Sequence, residues 1–176
     1  MIIAISGTAG SGKSTIAKML AEKLGYRHYS SGDFQREIAK EKGITIEELG
    51  ELEKKDPSID RMVDDRQRTL GKKEDDFVID GWLAPCFIPH AFKVFMDGDI
   101  KERAHRVLLR EPQKYKDDKD AVDKIMLRED TNRTRWMKLY SFDFRKKENY
   151  DLVLETTGMG VQTVFDMVLK KLPKNR

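Results

Sequence analysis

The chain predicts an α/β fold: a three-layer arrangement in which a five-stranded parallel sheet lies between helices. Two observations carry this expectation. Short apolar runs alternate with longer stretches of helical periodicity across the 176 residues, the pattern of strands joined by helical crossovers. A glycine-rich turn, GTAGSGKS at residues 7–14, joins the first apolar run directly to the first helical one. The length suits one domain with a single core and leaves no room for a second full domain.

The elements follow in chain order. MIIAIS, residues 1–6, reads as a strand, and residues 13–24 as the helix after the turn. RHYS at 27–30 is the second strand, followed by helices at 32–42, 46–54 and 57–70. Thr45 with Glu48 spells a capping box, and Asp56 before Pro57 puts an N-cap ahead of a proline at the first helical position. Strands at 76–80, 93–97 and 150–155 complete the sheet, with helices at 100–110, 120–140 and 161–172. Residues 111–120, EPQKYKDDKD, lack apolar periodicity and are expected to form a solvated, mobile loop between two helices.

Composition narrows the function. Charged residues make up 37% and hydrophobic ones 39%, so the surface is strongly ionic around an adequate core. The 34 basic and 31 acidic residues leave a net charge of +3, which gives no general case for nucleic-acid binding. A single cysteine, Cys86, allows no intrachain disulfide, and no Cys/His cluster has zinc-ligand spacing. No apolar run reaches the roughly 20 residues that span a bilayer, and the first apolar stretch lacks the features of a signal sequence. A cytoplasmic protein without membrane or nucleic-acid partners is expected, acting as a monomer.

The turn at 7–14 has the G-x-x-x-x-G-K-S pattern of a phosphate-binding P-loop, in the strand-before, helix-after context that the motif requires. Gly7, Gly10 and Gly12 remove side chains where the backbone curls around an anion, so the N–H groups of Thr8, Ala9, Ser11 and their neighbours can turn inward. The helix that follows, through Thr15, adds its positive end. Lys13 is placed to bridge the β- and γ-phosphates, and Ser14 offers a hydroxyl to Mg²⁺. A bound nucleoside triphosphate is the direct implication.

Three further groups of residues point the same way, each with a plainer reading beside it. Ser31, Asp33 and Arg36 lie where a helix begins after the second strand, and Arg36 suits a second phosphate; an exposed i,i+3 ion pair is the alternative. Asp80 ends the third strand and can hold Mg²⁺ directly or through water, or simply belong to an Asp-Gly turn. Arg106 and Arg110, four apart, precede the polar loop, and Arg128, Asn132 and Arg135 follow it on one helical stripe. Arginines on both sides of such a loop suit a lid over phosphates; solvated amphipathic faces are the bland account.

Together these residues resemble the nucleoside monophosphate kinases, and over most of the chain the archaeal type of cytidylate kinase. The matching pieces are GTAGSGKST, SSGDFQRE with the stretch through Gln67, FVIDGWLA, KVFMDGDIKERAHRVLLRE and YDLVLETTG. The resemblance implies a core of residues 1–30, 76–110 and 141–176, an acceptor-binding helical insertion at 31–75 and a short lid at 111–140. It implies that ATP and Mg²⁺ are held by the P-loop, with Arg106 and Arg110 at the donor and its phosphates. Ser31, Asp33, Arg36 and Arg66 would serve the acceptor, with Asp33 in the network around the metal. Arg128 and Arg135 would close over the transferred group or the acceptor, with Asn132 nearby; catalysis would then rest on Lys13, Arg110, Arg128 and Arg135. Two positions depart from the family pattern: Trp82 stands where an arginine is frequent and Asn132 where an acid is usual. ATP-dependent phosphorylation of CMP or dCMP is therefore expected. Another acceptor (AMP, UMP or a small metabolite), a nucleotide-dependent switch and an RNA-associated ATPase stand as alternatives; no N-K-x-D guanine-reading motif supports the switch.

Overall fold

The computed structural model describes residues 1–173, so the end of the region read as core, residues 174–176, lies outside it. Five parallel strands form one sheet: β1 (Ile2–Gly7), β2 (Arg27–Ser30), β3 (Phe77–Asp80), β4 (Phe92–Asp97) and β5 (Leu152–Glu155), in the order β2-β3-β1-β4-β5. Around them lie α1 (Lys13–Leu24), α2 (Ser31–Lys42), α3 (Ile46–Lys55), α4 (Pro57–Lys73), α5 (Ala84–Phe87), α6 (Ile100–Arg110), α7 (Asp118–Tyr140) and α8 (Val161–Lys171).

The central strand explains the layers. Successive side chains of β1 point to opposite faces. Ile3 and Ile5 enter a core shared with α1 and α8, including Ile16, Leu20 and Val168, whereas Ile2 and Ala4 enter a second core with Phe77, Ile79 and Ile88. Both faces are covered, which is why MIIAI reads as an unbroken apolar run. The helices α2, α3 and α4 pack on one another around Ile38, Leu49 and Ile59, forming a small helical body with its own core. An aromatic cluster of Trp82, Phe87, Trp136 and Phe144 joins the β3 end, α5 and α7.

The expected capping devices are present. Thr45 Oγ1 accepts from Glu48 N while Thr45 N donates to the Glu48 carboxylate, and Asp56 caps α4 ahead of Pro57. The polar stretch after α6 differs from its reading. A 3₁₀ turn fills Pro112–Lys114, and α7 begins at Asp118, capped by Asp117. Lys116 N donates to Asp120, and Lys124 Nζ bridges Asp120 and the Lys114 carbonyl. Side-chain to backbone bonds of this kind substitute for the missing apolar periodicity, so composition alone overstated the loop. Three short segments were not foreseen: α5, the 3₁₀ turn at Pro112–Lys114 and another at Lys147–Asn149. Each is too short to show a helical period.

Candidate active site

The P-loop runs from the end of β1 to the start of α1, at the carboxyl edge of the sheet. Gly12 is the N-cap of α1 in the left-handed region, and Gly10 has φ +77. A Cβ on Gly10 would lie 2.4 Å from the Arg103 carbonyl oxygen, so the loop can pack against α6 only with glycine there. Beside the loop is a cavity of about 300 Å³, lined by Gly12, Ser14 and Thr15, by Arg106 and Arg110, and on its apolar side by Met159 and Val161.

Lys13 folds over its own loop and donates to the Thr8 carbonyl at 2.6 Å. Burial holds its ammonium down to about 8, and Arg128 and Arg103 push the same way against Asp80 and Glu129. A cation so placed gains from an incoming anion. Ser14 Oγ donates to Asp80 Oδ2 at 2.7 Å, and His28 Nε2 meets Asp80 Oδ1 at the same distance. Asp80 itself is buried. These are hard oxygen donors beside a phosphate cradle, which fits Mg²⁺. Among the described residues no group of three His, Cys, Asp or Glu side chains could enclose an ion. Asp33 is not engaged there: it is exposed and accepts from Arg36 at 2.5 Å as an i,i+3 pair.

The remaining predicted residues take different places. Ser31 opens α2 hard against the end of β3, where a Cβ on Gly81 would fall 2.5 Å from Ser31 Oγ. Arg106 reaches the Gly10 carbonyl at 3.5 Å and pairs with Glu102 at 3.0 Å. Arg110 is largely exposed at the cavity mouth and pairs with Glu111. Arg128 sits over the Trp82 ring at 4.9 Å, and Lys13 Nζ lies 5.9 Å from the same ring. Arg135 is mostly buried between Asp60 at 3.2 Å and Glu53 at 3.6 Å. Asn132 is half-buried on α7. Arg66 does not face the P-loop: it bonds Glu37 and Glu41 on α2 and lines a separate shallow groove with Phe34 and Leu70. The structure thus places Lys13, Ser14, Arg106 and Arg110 around one cavity, with Asp80 bonded to Ser14 and Arg128 at the same Trp82 ring as Lys13, and leaves Asp33, Arg36 and Arg66 in surface ion pairs.

One network was missed in the sequence. Glu129, 1% exposed, accepts from the Ala9 amide in the P-loop, from Arg103 of α6 and from Arg145 beyond α7, each at 2.8 Å. The signal was there: Glu129 continues the buried stripe Ala121, Ile125 of α7, and Arg103 sits four residues before buried Val107. A charge on an apolar stripe must find a partner.

Comparison with known proteins bears on the family and the fold. The sequence model described as the cytidylate kinase-like family matches residues 2–158. Cytidylate kinases from Archaeoglobus fulgidus and Thermococcus kodakarensis are 36% and 39% identical, covering 97% and 96% of this chain and 93% and 86% of their own. That of Ignicoccus hospitalis is 37% identical over 97% of this chain and 98% of its own. Among solved structures, an uncharacterized protein from Eubacterium ventriosum superposes with a TM-score of 0.74 at 25% identity, covering 97% of this chain and 96% of its own. Shikimate kinase from Bacteroides thetaiotaomicron, at 16% identity, a TM-score of 0.66 and 97% coverage of both chains, shares the fold.

Proposed function

The chain belongs to the cytidylate kinase-like family, and on that premise we propose that it transfers the γ-phosphoryl group of ATP to CMP or dCMP, yielding ADP and the corresponding diphosphate. The observation that carries this is the crevice in which Lys13, Ser14 and Asp80 meet Arg128 of α7 across the Trp82 ring.

Phosphoryl transfer passes through a loose, charge-spread transition state, so catalysis consists of aligning two nucleotides and countering negative charge. The P-loop amides and Lys13 hold the donor's phosphates, and Arg106 and Arg110 line the donor side of the cavity. Ser14 and Asp80 would hold the Mg²⁺ that accompanies ATP, and the ion would supply positive charge to the phosphate oxygens. His28 fixes the orientation of the Asp80 carboxylate through its second oxygen. Arg128 extends over the acceptor side, where the indole of Trp82 holds its guanidinium in place of an arginine common at that position. The helical body of α2 to α4 serves as the acceptor-binding part, and the 3₁₀ turn with α7 as the lid. Closure of that lid keeps water from the transferred group, since an open site would hydrolyse ATP. Arg36 would reach the acceptor's phosphate by exchanging its ion pair with Asp33 for it, leaving Asp33 to the water network around the metal.

Replacing Lys13 with Met tests the assignment. Transfer should fall by about 100-fold or more, with the melting temperature no lower than that of the wild type because a buried charge has been removed. Near-normal turnover in this variant would overturn the role.

A further inference from the structure

The first turn of the P-loop is held from outside the loop as well as from within. The peptide group joining Thr8 to Ala9 is engaged at both ends: its N–H donates to Glu129 of α7 at 2.8 Å, and its carbonyl accepts from Lys13 Nζ at 2.6 Å and from Ser11 Oγ at 2.9 Å. Arg103 of α6 donates to the next carbonyl, that of Ala9, at 3.0 Å, and to the same Glu129 oxygen at 2.8 Å. The other oxygen of Glu129 accepts from Arg145, and the residue is almost wholly buried. A carboxylate so enclosed keeps one orientation, and hydrogen bonds at the two ends of one peptide group reinforce each other. Glu129 and Lys13 therefore grip the same peptide plane from opposite sides.

We propose that Glu129 is a positioning residue for phosphoryl transfer: through the Thr8–Ala9 peptide it keeps the P-loop and Lys13 in register with Arg128, its neighbour on α7, when both nucleotides are bound. The inference rests on the kinase reading above and deepens it. Successive helical residues point about 100° apart. Glu129 accordingly turns toward the P-loop and α6, while Arg128 turns to the Trp82 ring, 4.9 Å away. Lys13 and Arg128 come from separate segments, and Glu129 is a direct tie between those segments, one residue from Arg128 and one peptide group from the Lys13 ammonium. A shift of about 1 Å between the two cations would cost on the order of 100-fold in rate. Donor binding is less exposed to such a shift, since several P-loop amides and the start of α1 share in it. The register matters most in the transition state, where both cations must act at once.

The experiment compares steady-state kinetics with ATP and CMP for the wild type, Glu129→Asp and Arg145→Met. Aspartate keeps the charge for the two arginines, whose long side chains can follow it, but withdraws the carboxylate by about 1.5 Å. The Thr8–Ala9 peptide, held at its carbonyl, cannot follow. In Glu129→Asp kcat should fall by about tenfold or more, with KM for ATP within about twofold of the wild type. Arg145→Met removes a partner of the same carboxylate from outside the P-loop, and should lower the melting temperature while leaving kcat near the wild-type value. In the wild type, with a non-hydrolysable ATP analogue and CMP both bound, NMR should show a scalar coupling across the hydrogen bond from the Ala9 nitrogen to the Glu129 carboxylate carbon. The inference is overturned if Glu129→Asp keeps kcat within about twofold of the wild type, or if Arg145→Met loses as much kcat as Glu129→Asp. It is equally overturned if the coupling is absent with both nucleotides bound, a result that needs no variant to fold. Any of these outcomes, with CMP phosphorylated by the wild type, sinks this inference alone. A wild type that phosphorylates no mononucleotide removes the kinase reading and this inference with it.

Discussion

At the scale of single residues, Lys13 shows how a site prepares for its ligand. Its ammonium is held by one carbonyl inside the loop, and burial lowers its pKa to about 8. A bound phosphate chain raises that value, so above pH 8 the free protein lacks a proton that the complex retains. ATP binding should then take up a proton, and affinity should fall by up to about tenfold per pH unit as pH rises beyond 8. Calorimetry near pH 9 in two buffers of different ionisation enthalpy checks this; identical heats would contradict it. Lys13, Ser14 and Asp80 were legible in the sequence because their spacing relative to glycines and a strand end is itself the mechanism. The partners of Asp80 and Arg128 were not. His28 and Trp82 reach them across the fold, and neither spacing nor periodicity encodes such a contact. Trp82 was visible only as a departure from a family pattern, and the structure supplies its contacts: Arg128 at 4.9 Å and Lys13 Nζ at 5.9 Å from its ring.

At the scale of elements, α7 is the piece on which the account turns. Through Glu129 it is tied to the P-loop amide of Ala9 and to Arg103 and Arg145; through Arg135 it is tied to α3 and α4. One helix thereby ties the P-loop to the helical body of α2 to α4. Replacing Glu129 with Gln strips the charge from a buried carboxylate that serves two guanidinium groups, and should cost about 3 kcal/mol of stability or more. Urea denaturation of the variant measures it. A loss below roughly 0.5 kcal/mol, the range of an exposed pair, would show that the network is not a structural tie. The helix itself was legible from its caps and length. Its buried ion network was legible only in part: the apolar stripe containing Glu129 could be read, but its partners come from three other segments. The preceding loop was misjudged because polar residues can fold on their own backbone bonds as readily as they can remain solvated.

At the scale of the whole molecule, the alternation of strands and helices determined the sheet and placed the P-loop at its carboxyl edge, where open α/β folds bind ligands. Strand order does not follow from such alternation, since β1 lies at the centre beside β3 and β4 while β2 is at an edge. No helix among the described residues is long and apolar enough to cross a membrane. The charge distribution is local: cations gather at the phosphate crevice and buried acids at the α4–α7 seam, so a net charge of +3 conceals two opposite environments. The most direct test follows the phosphoryl group itself, by chromatography of purified protein incubated with ATP and, separately, CMP, dCMP, UMP, AMP or no acceptor. The account predicts CDP or dCDP formed one for one with ADP and little ATP loss when no acceptor is added; ADP accumulating at the same rate with and without acceptors, and no acceptor diphosphate, would contradict it.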